Sequence, residues 1–360
     1  MKWVTLFPSA KNENLAKDVG MIPYFMHKNY RYESYIVCFK NEENYPYLEN
    51  VVKGLKIQYI KKEKRTIAQI RYILNNSKDI NVLNLYHWGR LTLISGLLYK
   101  ILNRKGVLYV KTDMDFRSVN ILQTNVRARI VFKLITRIAN VVTVESTKIK
   151  NSLEELGIKK IEYLPNGFKE NEGKRLIRKE KMILTVGRLG TYQKASEILL
   201  EAFCRIEREI KEWKLVFVGS IEPVFYKQLV EVQKNRGDDR IVYAGKIVDK
   251  ELLDQYYLKA GIFALPSRWE GFSLVLLESM SKGCFLVGTD QIAPIDDIII
   301  NTKYGLIAKS GSIDSFVENL KKACLEFDSV DGSAIAEYVC NQFSWDKVCG
   351  NLYEMLRLGK

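Results

Sequence analysis

Short apolar runs alternate with stretches of helical period along nearly the whole chain. This rhythm restricts the fold more than any single residue does. Val4–Phe7, Tyr35–Phe39, Val82–Leu85, Val107–Val110, Val141–Val144 and Ile161–Leu164 read as strands of a first half. Met182–Val186, Leu215–Val218, Ile241–Tyr243, Ile262–Leu265 and Phe285–Val287 read as strands of a second. Between them, Ser196–Glu209, Pro223–Lys234 and Lys250–Lys259 carry the helical period. Strands without polar alternation are covered on both faces, which predicts parallel sheets flanked by helices. Phe168–Lys181 holds nine charged residues and reads as a linker. The expectation is an α/β chain of two doubly wound units, and 360 residues at 47% hydrophobic suffice for two cores. No run reaches the ~18 apolar residues of a membrane span. The nearest candidate, Leu91–Val110, is interrupted by Lys100, Arg104 and Lys105.

The net charge of +14 belongs to one half. Residues 1–170 carry 29 Lys and Arg against 15 Asp and Glu, and residues 171–360 carry 27 against 27. A basic half suits phosphates, nucleic acid or an anionic membrane. The spacing predicts a basic amphipathic helix over 126–138, with Arg129, Lys133 and Arg137 on one stripe and Ile130, Leu134 and Ile138 on another. Two readings stay open for it. It rests on a membrane together with Arg65, Arg71, Lys100, Arg104 and Lys105, or it has an ordinary apolar core face and a solvated basic face. Aromatic and basic residues do not interleave as in RNA-binding surfaces, so nucleic acid is not an expected partner. The six cysteines are scattered, the first residues are too short for a signal segment, and the thiols are expected to be reduced. The expected location is cytoplasmic, with the inner face of the plasma membrane as the place for the basic half.

Chemistry concentrates in the second half. Gly187-Arg188-Leu189 and Lys194 follow a strand end, and two cations on such a loop can clamp a diphosphate. Another strand stops at Pro266, and Glu270-Gly271-Phe272-Ser273-Leu274 lead into a helix with Ser273 as its N-cap and Glu278 in its second turn. A strand-end loop feeding a helix is where open α/β sheets bind anionic ligands. Taken singly, Arg188 and Lys194 read equally as solvated charges and Glu278 as a surface carboxylate. Glu278 has Val275, Leu276, Leu277 and Met280 around it, so its helix is buried and its carboxylate needs a partner.

Gly-Arg-Leu-x4-Lys followed by Glu-x7-Glu with Gly-Phe-Ser after the first Glu resembles glycosyltransferase family 4, the large retaining family of GT-B fold. Leu164-Pro165-Asn166-Gly167-Phe168, Val141–Ser146 and Phe343-Ser344-Trp345 resemble other segments of that family, in the same order. The resemblance implies two Rossmann-like domains facing a cleft. Residues 1–167 form the acceptor-side domain, 168–340 bind the nucleotide sugar, and a helix in 341–360 crosses back to the first. It implies that Arg188 and Lys194 stabilise a leaving diphosphate without a metal or cofactor, and that Glu270 meets sugar hydroxyls. Gly187 and the backbone of Gly271, Phe272, Ser273 and Leu274 meet the donor, Glu278 accepts from the ribose, and the base lies near Ile247.

The first half departs from the family pattern. Only Gly20 stands where paired glycines are usual, either as a close approach to donor phosphate or as an ordinary turn glycine. Asp113 occupies the place of the usual His and is the candidate to face the acceptor. His87 and Lys111 at strand ends are further acceptor-side candidates, against the reading of His87 as structural. Asp113-Met114-Asp115 matches the D-x-D that holds a metal in the other glycosyltransferase fold, but the Arg188–Lys194 clamp makes a metal redundant. The resulting expectation is a retaining hexosyltransferase of polysaccharide synthesis, capsule or exopolysaccharide. It moves a sugar from a nucleotide diphosphate, UDP in the first place, to a polysaccharide or lipid-linked oligosaccharide. The alternatives are a nucleotide-sugar epimerase or phosphorylase of the same fold, and a non-enzymatic basic module.

Overall fold

The computed structural model describes residues 1–169, 177–236 and 239–358. The chain divides into two compact units, Met1–Gly167 with Trp345–Lys360, and Phe168–Ser344.

In the first unit the strands are β1 (Lys2–Leu6), β2 (Glu33–Cys38), β3 (Lys56–Tyr59), β4 (Val82–Tyr86), β5 (Val107–Lys111), β6 (Val141–Val144) and β7 (Glu162–Tyr163). They form one parallel sheet in the order β3-β2-β1-β4-β5-β6-β7. The connections are α1 (Asn12–Leu15), α2 (Asp18–Tyr30), α3 (Tyr47–Asn50), α4 (Arg65–Asn76), α5 (Arg90–Leu102), α6 (Phe116–Thr124), α7 (Val126–Ile138) and α8 (Thr147–Glu155). Every residue of β4, β5 and β6 is buried, as their unbroken apolar runs require. β3 went unread in the sequence: Lys-Ile-Gln-Tyr is an edge strand without a fully buried residue, so it needs no apolar run.

The second sheet contains β8 (Glu180–Val186), β9 (Lys214–Val218), β10 (Ile241–Tyr243), β11 (Ala260–Ala264), β12 (Phe285–Thr289) and β13 (Gly305–Ala308). Its order is β10-β9-β8-β11-β12-β13, again parallel. Its helices are α9 (Ser196–Ile206), α10 (Pro223–Arg236), α11 (Lys250–Lys259), α12 (Leu274–Met280), α13 (Ile295–Ile298), α14 (Ile313–Leu325) and α15 (Gly332–Phe343). Phe203, Phe217, Phe263 and Phe316 fill the core beside the sheet. β13 also went unread, because Gly-Leu-Ile-Ala is short and opens on glycine.

Of the expected linker, residues 170–176 lie outside the described residues, and its last two residues already belong to β8. The expected boundary at 340/341 falls inside α15. The change of unit comes at Ser344, whose extended backbone ends that helix before α16 (Trp345–Leu358) begins. Trp345 packs where a side chain on Gly167 would sit: a Cβ there would lie 2.6 Å from the indole. α16 lies on α2 of its own unit, with Tyr353 stacked on Tyr30 at 3.9 Å and Asp346 accepting from Asn29 at 2.8 Å.

Candidate active site

Each sheet has one place where the strand order reverses, between β1 and β4 in the first and between β8 and β11 in the second. Loops leaving such a pair diverge and open a crevice at the strand C-termini. The second-unit cluster lies at its reversal point; in the first unit His87 follows β4, whereas Lys111 ends β5 and Asp113 lies just after it.

In the second unit the loops after β8 and β11 are fastened together. Lys194 Nζ donates to Glu270 Oε1 at 2.5 Å, and the two side chains are only 14% and 10% exposed. Ser267 Oγ donates to the same carboxylate oxygen at 2.9 Å. Gln193 Nε2 donates to the Trp269 carbonyl at 3.1 Å and more distantly to Glu270 Oε2. Arg268 donates from its backbone N–H to the Gln193 carbonyl and stacks 4.2 Å over Tyr192 while pairing with Glu197. Directly after Lys194, Ala195 takes a left-handed backbone (φ 49°), uncommon for a residue with a Cβ. Gly187 and Gly219 show how close the strand ends come. A Cβ on Gly219, at φ +139°, would meet the Gly187 carbonyl oxygen at 1.8 Å.

Arg188 is exposed on the same loop, held at 3.0 Å to Gln193 Oε1. Ser273 precedes α12 as its N-cap residue, without a side-chain cap bond, and Gly271 and Phe272 are half-buried just before it. Leu274 opens that helix. Glu278 is half-buried, and Tyr257 OH donates to its Oε2 at 3.3 Å. Burial pushes the Glu278 carboxyl above its ordinary value, against the opposing pull of Lys250 and Tyr257. Ile247 packs against the core after β10, next to Gly245, around whose Cα there is open space.

In the first unit the structure redistributes the expected roles. Gly20 is not a loop glycine. It is buried inside α2, and the Leu15 carbonyl oxygen lies 2.2 Å from where its Cβ would be. The close approach it permits is to the protein's own backbone. Lys111 cannot meet an acceptor, because its side chain is fully buried. Its ammonium lies 2.5 Å from Glu145 and 4.0 Å from Asp18. Burial works against the charge on Lys111, but Glu145 and Asp18 outweigh it and hold its pKa above the ordinary lysine value. Burial pushes the Glu145 carboxyl up against the pull of Lys111. Glu145 also accepts from the backbone of Met114 at 3.3 Å.

Above this sealed pair, His87 and Asp113 follow the neighbouring strands β4 and β5. Both are exposed, and both hold left-handed backbones, at φ 62° and 50°. Non-glycine residues in that region cost strain and concentrate at functional sites. Asp115 is committed elsewhere: it caps α6 by accepting from Ser118 N at 2.9 Å and pairs with Arg117 at 2.7 Å. The D-x-D is therefore split between an exposed Asp113 and a capping Asp115. Ser267 and Gln193 stand beside quoted motif residues and were within reach of the sequence. Tyr257 and Asp18 carry no local signal.

Residues 167–326 match the family model described as Glycosyl transferases group 1. The chain is 30% identical over 184 residues to the Campylobacter jejuni N-acetylgalactosamine-N,N'-diacetylbacillosaminyl-diphospho-undecaprenol 4-alpha-N-acetylgalactosaminyltransferase, covering 48% of each chain. It is 28% identical to mannosylfructose-phosphate synthase of Agrobacterium fabrum, covering 45% of this chain and 40% of that one. The chain spans about half the length of the curated relatives it matches. Among solved structures it is similar to Anabaena Alr3699/HepE in complex with UDP, with a TM-score of 0.76 at 16% identity over 99% of this chain and 100% of that chain. It is also similar to sucrose-phosphate synthase from Thermosynechococcus elongatus, with a TM-score of 0.73 at 17% identity over all of both chains. At such identity the likeness establishes the fold, which is GT-B.

Proposed function

We propose that the chain is a retaining hexosyltransferase using a nucleotide-diphosphate sugar, a reading supported by the match of residues 167–326 to the group 1 glycosyl transferase model. The observation that carries this reading is the Lys194–Glu270 bridge at the reversal point of the second sheet, with Arg188 exposed on the same loop. A cation and a carboxylate held together, partly exposed, on the two loops that leave the reversal point suit a ligand that carries both diphosphate and hydroxyl groups.

In this reading Lys194 and Arg188 meet the diphosphate. As the bond from the anomeric carbon to the leaving oxygen breaks, its electron pair goes to the phosphate. Preorganised cations stabilise the charge that develops there, and no metal is required. Glu270, oriented by Ser267 and Gln193, accepts from sugar hydroxyls. Glu278, oriented by Tyr257, accepts from the two ribose hydroxyls. The backbone before α12, with Gly187 and Ile247, lines the donor. We assign Asp113 and His87 to the acceptor, which enters on the face the diphosphate leaves. Asp113 orients the attacking hydroxyl and takes its proton late.

UDP is the favoured nucleotide, since Anabaena Alr3699/HepE was solved with UDP, with UDP-glucose, and with UDP and glucose. The acceptor is a polysaccharide or a lipid-linked oligosaccharide, in line with the diphospho-undecaprenol in the name of the Campylobacter relative.

The test is a thermal-shift screen of UDP-, GDP-, dTDP- and ADP-sugars, followed by nucleoside diphosphate release with and without a lipid-linked acceptor. Stabilisation by one nucleotide class and acceptor-dependent release are expected. No stabilisation by any of them would sink the proposal. Donor consumption without nucleoside diphosphate release would turn it into an epimerase.

A further inference from the structure

Helix α5 is built inside out. Its buried positions are Thr92, Ser95, Gly96 and Tyr99, while Ile94, Leu97 and Ile101 stand outward, Ile101 at 70% exposure. The inward polar groups are satisfied locally: Ser95 Oγ accepts from Gln69 of α4 at 3.1 Å, and Thr92 Oγ donates to the His87 carbonyl at 3.2 Å. α5 packs against α4 on one side and α7 on the other. α7 turns Phe132, Ile135 and Thr136 to the core and leaves Val126, Ile130 and Leu134 outward, one turn apart along the helix. α4 likewise exposes Ile67 and Leu74. α7 does have an apolar core face, through Phe132 and Ile135, but of the expected apolar stripe only Ile138 packs inward, half-buried beside Gly96 of α5, while Ile130 and Leu134 are exposed; of the expected basic stripe Arg129 and Lys133 are half-buried and Arg137 is exposed.

Charge gives the second, independent observation. Helices α4, α5, α6 and α7 carry nine Lys or Arg and no Asp or Glu. Solvated helices of a soluble protein normally mix both signs. Exposed Arg90 and Arg104 flank the outward stripe of α5, and exposed Arg127 and Arg137 flank that of α7. Lys100, counted with this set in the sequence, does not belong to it. Its ammonium donates to the Gly106 carbonyl and Asn140, and burial lowers its pKa.

We propose that the outward face of α4, α5 and α7 docks on an anionic lipid bilayer, with the aliphatic stripes entering the headgroup boundary and the arginines meeting lipid phosphates. Arg71 of α4 is paired with Glu63, but aliphatic stripes flanked by Arg90, Arg104, Arg127 and Arg137 match the acyl–headgroup boundary of an anionic leaflet. A second copy of the chain fits poorly, because face-to-face pairing would bring uncompensated arginines together. Nucleic acid offers no partner for isoleucine and leucine stripes. The face stands on the first unit and does not depend on the reaction proposed above.

The experiment is sedimentation of the full chain with phosphatidylcholine vesicles, with and without a third of phosphatidylglycerol, in the absence of any nucleotide sugar. Binding is expected only to the anionic vesicles and should weaken with salt. The triple variant Ile94→Ser, Leu97→Ser, Ile101→Ser is expected to lose about tenfold or more in partitioning. Arg127→Gln with Arg137→Gln is expected to lose about tenfold or more, from two cations at an anionic surface. These side chains are exposed, so the unfolding midpoint should hold and certify the fold. Equal binding to neutral vesicles, or wild-type binding by the triple variant, would overturn the proposal. So would a dimer or a nucleic-acid complex that the same substitutions abolish. Because no donor is present, vesicle binding and the donor screen can fail separately.

Discussion

Among the described residues, two largely buried lysine–glutamate pairs lie toward the C-terminal ends of strands, both at 2.5 Å, and they differ in what surrounds them. Lys111–Glu145 is sealed, with side chains 0% and 3% exposed, and Asp18 and a backbone N–H complete its partners. Lys194–Glu270 is ajar, at 14% and 10% exposed, between two loops that Gln193 and Arg268 hold together. A sealed pair cannot exchange partners with a ligand. Its loss leaves a bare charge in the interior. An open pair can trade its mutual contact for a diphosphate and a sugar hydroxyl. The same two residue types are thus sealed inside one unit and left partly exposed between two loops in the other.

The comparison breaks first at the sealed pair. Glu145→Ala is expected to destabilise the first unit by about 3–5 kcal/mol, because Lys111 is left charged and buried. Denaturant unfolding measures this. Lys111→Met with Glu145→Leu should recover most of that loss, as apolar replacements of buried pairs do. If Glu145→Ala unfolds like the wild type, the pair is not a brace.

Next comes the open pair. Lys194→Ala is expected to lower turnover by about 10²–10³, the usual cost of removing one preorganised donor from developing charge. Its unfolding midpoint should move far less than that of Glu145→Ala. A stability loss equal to that of Glu145→Ala, with turnover retained, would reverse the assignment of the two pairs.

A pH profile sharpens the second unit further. Burial raises the pKa of Glu278, so its acceptor form is lost at a higher pH than for an ordinary carboxylate. Donor affinity should therefore fall on acidification before exposed carboxylates titrate, and Glu278→Gln should flatten that fall. Calorimetry of nucleotide binding across pH decides it. The smallest expected effect is Tyr257→Phe, which removes one hydrogen bond to Glu278. It should weaken donor binding by about 1 kcal/mol, while Tyr257→Leu costs stability as well, since the ring is buried.

Much of this was legible in one dimension. Apolar runs marked eleven of the thirteen strands among the described residues, because a strand covered on both faces has little choice of residue. The two unread strands, Lys56–Tyr59 and Gly305–Ala308, are the edge strand β3 and the short edge strand β13. Edges are partly solvated, so their composition is free. Within the candidate site, Arg188, Lys194, Glu270 and Glu278 could be picked out because they follow strand ends in an order that resembles the family's. Tyr257 was not, as it reaches Glu278 across 21 residues of chain. Gly20 and Lys111 were misplaced for a related reason. A glycine or a lysine near a strand end looks the same whether it faces a ligand or its own interior.

The sequence alone determined the alternation of elements, the two doubly wound units and the concentration of positive charge in the first half. These follow from local periodicity and composition, which any stretch of chain carries within itself. Only the tertiary structure decided which lysine is sealed and which is open, because exposure depends on what other elements cover. It also decided that Ile94, Leu97, Ile130 and Leu134 face outward. Helical period shows that a helix has two faces, and packing against the sheet selects which of them turns to the core.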